Sequence, residues 1–276
     1  MNINTHSHRF GSLVLASLLL AFAGCGGGGG GGSSDTPVSE PPAQSLADMQ
    51  GFWSGPMSGA TLQTATSTQG VVLADGTAWF LLIPASGAST GMVKASLTVS
   101  GTGYAGTGKV YDFASLTATP VAMTGTAVAA SSQTLALTPS GASGATTTSL
   151  TYSNAYATPA VLADVGGNWQ VSASAGALHI NWVIQADGTL AGASTTGCTW
   201  TGAFRTRSGG KAVLDFAASE TCESLTATYS GIAVLNSTKS GATLFITTEA
   251  DAQGFALGMT KQTDAAIGSQ LTGDQH

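Results

Sequence analysis

The chain has 276 residues, with 8 Lys and Arg against 14 Asp and Glu, and a net charge of −6. Phosphate binding requires a basic face, so this acidic balance excludes a nucleic-acid partner. Charged residues make up only 8% of the chain, whereas hydrophobic residues make up 43%. Disorder usually combines high net charge with few apolar residues, so this composition indicates a folded body.

Residues 1–24 predict a secretory signal segment. Arg9 precedes an apolar stretch from Leu13 to Ala23, and no acidic residue occurs before it. The stretch is shorter than the ~20 residues that a membrane-spanning helix needs. Ala21-Phe22-Ala23 also fits the small-residue site of an ordinary signal peptidase, so two cleavage positions remain open.

The same segment ends in Ala23-Gly24-Cys25, which resembles the lipobox of bacterial lipoproteins. The resemblance implies cleavage before Cys25 and attachment of diacylglycerol and an acyl chain such as palmitate to this residue. The residue after the cysteine is Gly26 and not Asp. In lipoproteins of this kind, the absence of Asp at this position usually implies sorting to the outer membrane. The resemblance therefore implies a lipid anchor in the outer membrane of a bacterial cell envelope, with the leaflet undetermined.

Residues 25–44 predict a flexible tether between this anchor and the folded body. Seven glycines, Gly26 to Gly32, precede a segment rich in Ser and Pro. Such sequences cannot build a core and behave as extended or coil-like spacers. At the other end of the chain, residues 266–276 are assigned to a C-terminal tail.

The body between tether and tail contains an internal repeat. The pattern Leu46-Ala-Asp-x-x-Gly-x-Trp53 recurs as Leu162-Ala-Asp-x-x-Gly-x-Trp169. In the same order, both copies then carry Ala-Asp-Gly-Thr (74–77 and 186–189) and Gly-x-Ala-Val (125–128 and 231–234). Self-similarity of this kind predicts two homologous domains, 45–157 and 158–265.

Each copy predicts a short helical turn followed almost entirely by strands. Alternation such as Leu178, Ile180, Trp182 and Ile184 against polar neighbours is typical of a half-buried strand. Apolar runs such as 79–83 are also strand-sized, and Asp-Gly pairs at 75–76 and 187–188 indicate hairpin turns. The fold class predicted is all-β: two tandem antiparallel barrels or sandwiches of about eight strands each.

A helical turn, then Gly-x-Trp on the first strand, then a meander of hairpins resembles the calycin group, which includes lipocalins and avidins. The residues that carry this resemblance are Gly51, Trp53, Gly167 and Trp169. It implies that each tryptophan plugs one end of a barrel, in agreement with the large apolar area that a buried Trp supplies. No set of side chains matches the biotin contacts of avidins.

Cys198 and Cys222 predict a disulfide bond, because the bacterial envelope is oxidising. The bond would close a loop of about 25 residues and add ~3 kcal/mol of stability. A redox pair is a weaker alternative since no C-x-x-C spacing occurs. A metal site built from the two cysteines and a histidine is weaker still, and we predict neither metal nor cofactor.

Catalytic groups are few, so the hypothesis is a non-enzymatic binding or scaffolding module. His179 lies mid-strand without a nucleophile motif, and the carboxylate pairs Glu220/Glu223 and Glu249/Asp251 fall in predicted loops. Besides the membrane, the candidate partners are a small hydrophobic ligand, a glycan or an envelope protein. The alternatives are an envelope-polymer hydrolase using Glu220, Glu223 and Asp215, or a purely structural surface protein, which filled barrel interiors would favour.

Overall fold

The computed structural model describes residues 45–59, 62, 64–101, 103–129, 132–139, 145–173, 178–209 and 211–262. The predicted signal segment, Cys25, the tether as far as residue 44 and the tail at 266–276 lie outside these ranges. Within them, none of the helices combines the length and the apolar character needed to cross a bilayer.

The first domain is a closed antiparallel barrel, here called barrel 1. The short helix α1 (Leu46–Met49) leads into eight strands that pair in chain order, and β8 returns to pair with β1. The strands are β1 (Gly51–Gly59), β2 (Ala65–Val72), β3 (Thr77–Pro84), β4 (Gly91–Ser100), β5 (Gly103–Asp112), β6 (Ala118–Ala129), β7 (Ser132–Pro139) and β8 (Thr146–Ser153).

The second domain, barrel 2, repeats this order after a 3-10 turn at Asn154–Ala157 and the helix α2 (Leu162–Val165). Its strands are β9 (Gly167–Ala173), β10 (Leu178–Ile184), β11 (Thr189–Ser194), β12 (Thr199–Thr206), β13 (Val213–Cys222), β14 (Leu225–Leu235), β15 (Gly241–Thr248) and β16 (Gly254–Lys261). The barrel closes through three residue pairs between β16 and β9. The all-β prediction of two antiparallel barrels or sandwiches of about eight strands each is confirmed, and both domains are barrels.

A tryptophan and a helical turn close one end of each barrel, here called the plug end. The indole Nε1 of Trp53 donates to the Met49 carbonyl at 2.7 Å, and that of Trp169 donates to the Val165 carbonyl at 2.6 Å. Both rings are almost fully buried. Each bond ties the first strand to the helix before it, so the helix cannot leave the barrel without exposing a large ring.

The two Asp-Gly pairs form equivalent turns at the same plug ends. The Asp75 carboxylate accepts from the Thr77 N–H, and the Asp187 carboxylate accepts from the Thr189 N–H, both at 2.9 Å. Gly76 follows with φ +82°, a left-handed conformation that glycine adopts without strain. A Cβ atom there would collide with the Leu97 carbonyl oxygen, so this turn requires glycine.

Among the residues whose side chains the structure describes, buried apolar groups pack into the interior of each barrel. In barrel 1 the continuous cluster includes Trp53, Phe80, Val93, Val110, Met123 and Leu150. In barrel 2 it includes Trp169, Ile180, Trp182, Trp200, Phe204, Phe216 and Leu244. Eight-stranded barrels have interiors just wide enough for side chains to fill, and both of these follow that pattern.

A third apolar cluster joins the two barrels. It consists of outward-facing residues from β2–β5 and nearby loops of barrel 1 and from β13–β16 of barrel 2: Val71, Leu73, Trp79, Leu81, Met92, Tyr111, Phe113, Tyr156, Val213, Ile232, Phe245 and Ala256. The Trp79 and Phe245 rings lie 6.2 Å apart between centroids. Polar contacts flank the cluster, with Lys94 Nζ 2.6 Å from Asp251 Oδ1 and Arg207 bridging Asp75 and Asp215.

Candidate functional site

Aromatic side chains pack in a series inside barrel 2, from Trp182, the cross-strand partner of the plug residue Trp169, to Phe255 near the opposite end. This set, here called the rim cluster, consists of Trp182, Trp200, Phe216, Tyr229 and Phe255. The rings of Trp200 and Tyr229 are stacked with centroids 5.2 Å apart, and those of Trp182 and Trp200 are 5.4 Å apart. Alternation along the strands directs these rings inward, so they pack along the interior of barrel 2.

The polar atoms of the rim cluster differ in whether they make hydrogen bonds. The indole N–H groups of Trp182 and Trp200 are buried and find no hydrogen-bond partner among the described residues. The Tyr229 hydroxyl donates to Glu220 Oε2 at 3.1 Å. Burial raises the pKa of Tyr229, and the neighbouring Glu220 carboxylate raises it further. Tyr229 is therefore a neutral donor at physiological pH.

A disulfide bond between Cys198 and Cys222 closes the rim on one side, which confirms that prediction. It joins the residue before β12 to the last residue of β13. The Glu220 carboxylate lies within 4.8 Å of both sulfur atoms. Because the sulfurs are bonded to each other, neither offers a thiolate, and Glu220 alone does not provide a metal site.

The carboxylates considered for hydrolysis do not converge. Glu220 points into barrel 2, whereas Asp215 on the same strand points outward and pairs with Arg207. Glu223 lies exposed in the β13–β14 turn. Two carboxylates must flank one bond for glycoside cleavage, and these three face different regions.

His179 and the second carboxylate pair lie on different elements of barrel 2. His179 lies on β10, where its backbone N–H donates to the Thr195 hydroxyl. Glu249 and Asp251 share a 3-10 turn (Glu249–Asp251) between β15 and β16. Glu249 accepts from the Thr228 hydroxyl at 3.4 Å, and Asp251 is committed to Lys94. Of this pair, Glu249 lines an open surface of barrel 2.

That surface is a concave region on the outside of barrel 2, here called the outer groove. Its volume is about 550 Å³, and it is lined by Thr201, Gly202, Ala217, Ala218, Ser219, Thr228, Tyr229, Ser230 and Glu249. Cross-strand pairing places Thr201, Ser219 and Thr228 in one row across β12, β13 and β14, with Ala217 and Ser230 in the next row. The groove thus presents hydroxyl groups at regular spacing beside one carboxylate.

Sequence reasoning did not identify the rim cluster or the outer groove. The alternation on β10 predicts that Trp182 lies on the buried face of its strand, and Thr199-Trp200-Thr201 shows the same alternation. The outer groove had no comparable signal, because Ser, Thr and Ala occur on nearly every strand.

Comparison of this chain with protein-family models, with curated proteins and with solved structures finds no match.

Proposed function

We propose that this chain is a bacterial outer-membrane lipoprotein, anchored through Cys25, whose double barrel acts without catalysis as a binding or scaffolding module. The lipobox-like Ala23-Gly24-Cys25 and the glycine tether support the anchor. The eight-stranded meander with a tryptophan at the plug end supports the calycin-like interpretation of each domain.

The observation that carries the proposal is that buried side chains occupy both barrel interiors. A carrier of small hydrophobic molecules needs an interior cavity, usually of about 300–1,000 Å³. With the interiors filled, recognition falls to the outer faces and the rims. A glycan or an envelope protein is therefore favoured over a small hydrophobic ligand as the partner.

A purely structural surface protein is the second candidate, because filled interiors suit it equally well. Ligand binding in the outer groove distinguishes a binding module from a purely structural protein, since a structural role requires no ligand there. The hydrolase alternative receives little support from carboxylates that face different regions of barrel 2.

The anchor is tested by expressing the full chain in a Gram-negative host beside Cys25→Ala and Gly26→Asp variants. We expect a mature chain that begins at Cys25, carries the added lipid mass and fractionates with the outer membrane. Cys25→Ala should release the protein into the soluble fraction. Gly26→Asp should keep the lipid and change the membrane in which the protein is found.

A soluble mature chain that begins at Gly24 without lipid would contradict the proposal. If the lipid anchor is found, protease treatment of intact cells determines the leaflet, because only a barrel pair on the cell surface is accessible to protease from outside.

A further inference from the structure

We infer that the outer groove of barrel 2 binds a neutral carbohydrate chain, with Glu249 accepting hydrogen bonds from sugar hydroxyl groups. The inference rests on the proposed function only for the location of the partner, which is the cell envelope. Its site, ligand class and test depend on the described residues of the groove.

The shape of the groove comes from small residues on a broad sheet. The outward-facing Ala217 leaves the floor low, the backbones of Gly202 and Ala218 complete it, and Glu249 forms one side. The groove is open to solvent along its length and has a volume of about 550 Å³. The groove is therefore large enough to hold part of a chain that continues across the barrel surface.

Barrel 1 holds the side of the groove in place. Ala250 and Asp251 adopt left-handed backbone conformations, with φ +60° and +53°, which are unfavourable for residues other than glycine. Lys94 Nζ binds the Asp251 carboxylate at 2.6 Å, and Lys109 Nζ donates to the Asp251 carbonyl at 2.8 Å. These contacts keep the turn in its strained form, so Glu249 is positioned before a ligand arrives.

The chemistry of the lining selects a polyhydroxyl ligand. The hydroxyls of Thr201, Ser219, Thr228 and Ser230 can each donate and accept, and the threonine methyl groups add apolar contact. Sugar rings present the same mixture of hydroxyl groups and C–H faces. The groove therefore matches a carbohydrate better than a purely apolar molecule.

Charge narrows the class to neutral carbohydrates. Of the described lining residues, Glu249 carries the charge, and no lysine or arginine is among them. An anionic sugar would meet a carboxylate without a compensating cation. A carboxylate has about four acceptor positions, and the long 3.4 Å contact from Thr228 leaves most of them for ligand hydroxyls.

The equivalent face of barrel 1 is built differently. Matching the barrels through Trp53 and Trp169 and their cross-strand registers places Lys94 where barrel 2 has Thr201, and Lys109 where it has Ser219. In barrel 1 these lysines hold the neighbouring domain. Only barrel 2 leaves this face open, so only one site per chain is expected.

The test uses the full lipidated chain in detergent, titrated with neutral oligosaccharides (glucan, galactan and chitin fragments) and with sialylated and sulfated ones. Ala217→Trp fills the exposed floor, and Glu249→Gln removes the acceptor charge. The matched controls are Thr107→Trp, at the equivalent exposed position of barrel 1, and Glu223→Gln, an exposed turn carboxylate on the same barrel.

We expect at least one neutral oligosaccharide to bind, with affinity reduced about tenfold or more by both groove variants and unchanged in both controls. If Ala217→Trp fails to fold, Ser230→Tyr blocks the same groove from another exposed position. Binding of anionic sugars only, binding that survives a folded groove-blocking variant, or no binding by any oligosaccharide would overturn the inference. The anchor experiment is read out by mass and fractionation, so failure of the anchor proposal can be distinguished from failure of carbohydrate binding.

Discussion

At their plug ends barrel 1 and barrel 2 use the same contacts, whereas at their opposite ends they share almost none. Trp53 and Trp169 each donate to the carbonyl of the residue four positions earlier. At the far end, barrel 2 has Trp200, Glu220, Tyr229 and Phe255 at positions where register matching gives Val93, Val110, Val121 and Thr146 in barrel 1.

The comparison distinguishes the contacts that close one end of each barrel, which recur, from the side chains at the opposite end, which differ. The helical turn, the tryptophan and the Asp-Gly hairpin recur because each is part of how one barrel end is closed. At the compared positions of the opposite end, barrel 1 carries small side chains and barrel 2 carries larger ones, most of them aromatic, so the packing of this end differs between the copies. A disulfide bond is present only where the aromatic rim occurs.

The largest expected effect is the loss of a plug tryptophan. Trp53→Ala and Trp169→Ala should each lower the free energy of unfolding by about 3–5 kcal/mol, because a cavity forms and a buried carbonyl loses its donor. Urea unfolding of the full chain measures this. If one of the two substitutions were nearly neutral, the plug ends would not be equivalent in energy.

Removal of the disulfide should affect barrel 2 alone. A Cys198→Ser and Cys222→Ser double variant opens a loop with a sequence separation of 24 residues and should cost ~3 kcal/mol. Hydrogen exchange by peptide should rise in β12–β14 and stay constant in β1–β4. A Cys25→Ala variant controls for the loss of a cysteine as such, and equal changes in both barrels would contradict this expectation.

A bulkier residue at Gly254 should force the barrels apart. A Cβ atom there would lie 2.5 Å from Met92 Cε and 2.6 Å from Tyr111 Cγ across the junction. Gly254→Val should therefore cost about 1–3 kcal/mol and increase the solvent exposure of Trp79. Fluorescence quenching detects the exposure. Gly166→Ala is the control, because a Cβ atom at that glycine has its nearest neighbour at 3.6 Å.

The smallest effect concerns acid pH. Partial burial tends to raise the pKa of Asp251, but hydrogen bonds from Lys94 and Thr247 and the charges of Lys94 and Lys109 hold it below the ordinary value. The unfolded state therefore takes up protons more readily, so this stabilisation is complete above the ordinary value and is lost as pH falls below about 4. Asp251 is well exposed, which limits the effect to less than about 1 kcal/mol.

Asp251→Asn should accordingly flatten the pH dependence of the free energy of unfolding between about pH 3 and 7. Glu223→Gln, on an exposed turn, serves as the matched loss of one carboxylate. An unchanged acid limb in Asp251→Asn would show that the ion pair with Lys94 adds nothing to the junction.

The sequence was sufficient for features that depend on local pattern. The repeat, the period-two alternation, the turns at Asp75 and Asp187 and the cysteine pair each follow from residues close in the chain or from simple counting. The junction between the barrels was not predicted, although the apolar run 79–83 carried a signal. A strand that is apolar on both faces indicates burial on both sides, which one filled barrel does not explain.

The outer groove lay beyond sequence reasoning for a different reason. It requires three strands to bring small residues together and a turn from β15–β16 to lie beside them. Nothing in the separate segments around Thr201, Ala217 and Thr228 distinguishes them from other Ser- and Thr-rich strands. Only the register, set by long-range pairing, assembles this surface.

The junction joins faces that do not correspond, with β2–β5 of barrel 1 meeting β13–β16 of barrel 2. Head-to-tail contact of this kind has no symmetry to close it, and a further copy could extend it into an open row. Barrel 2, however, carries Ala191, Ala193 and Thr199 where barrel 1 carries Trp79, Leu81 and Met92. These small side chains offer little of the apolar area that Trp79, Leu81 and Met92 supply, so this face of barrel 2 does not repeat the face that forms the junction.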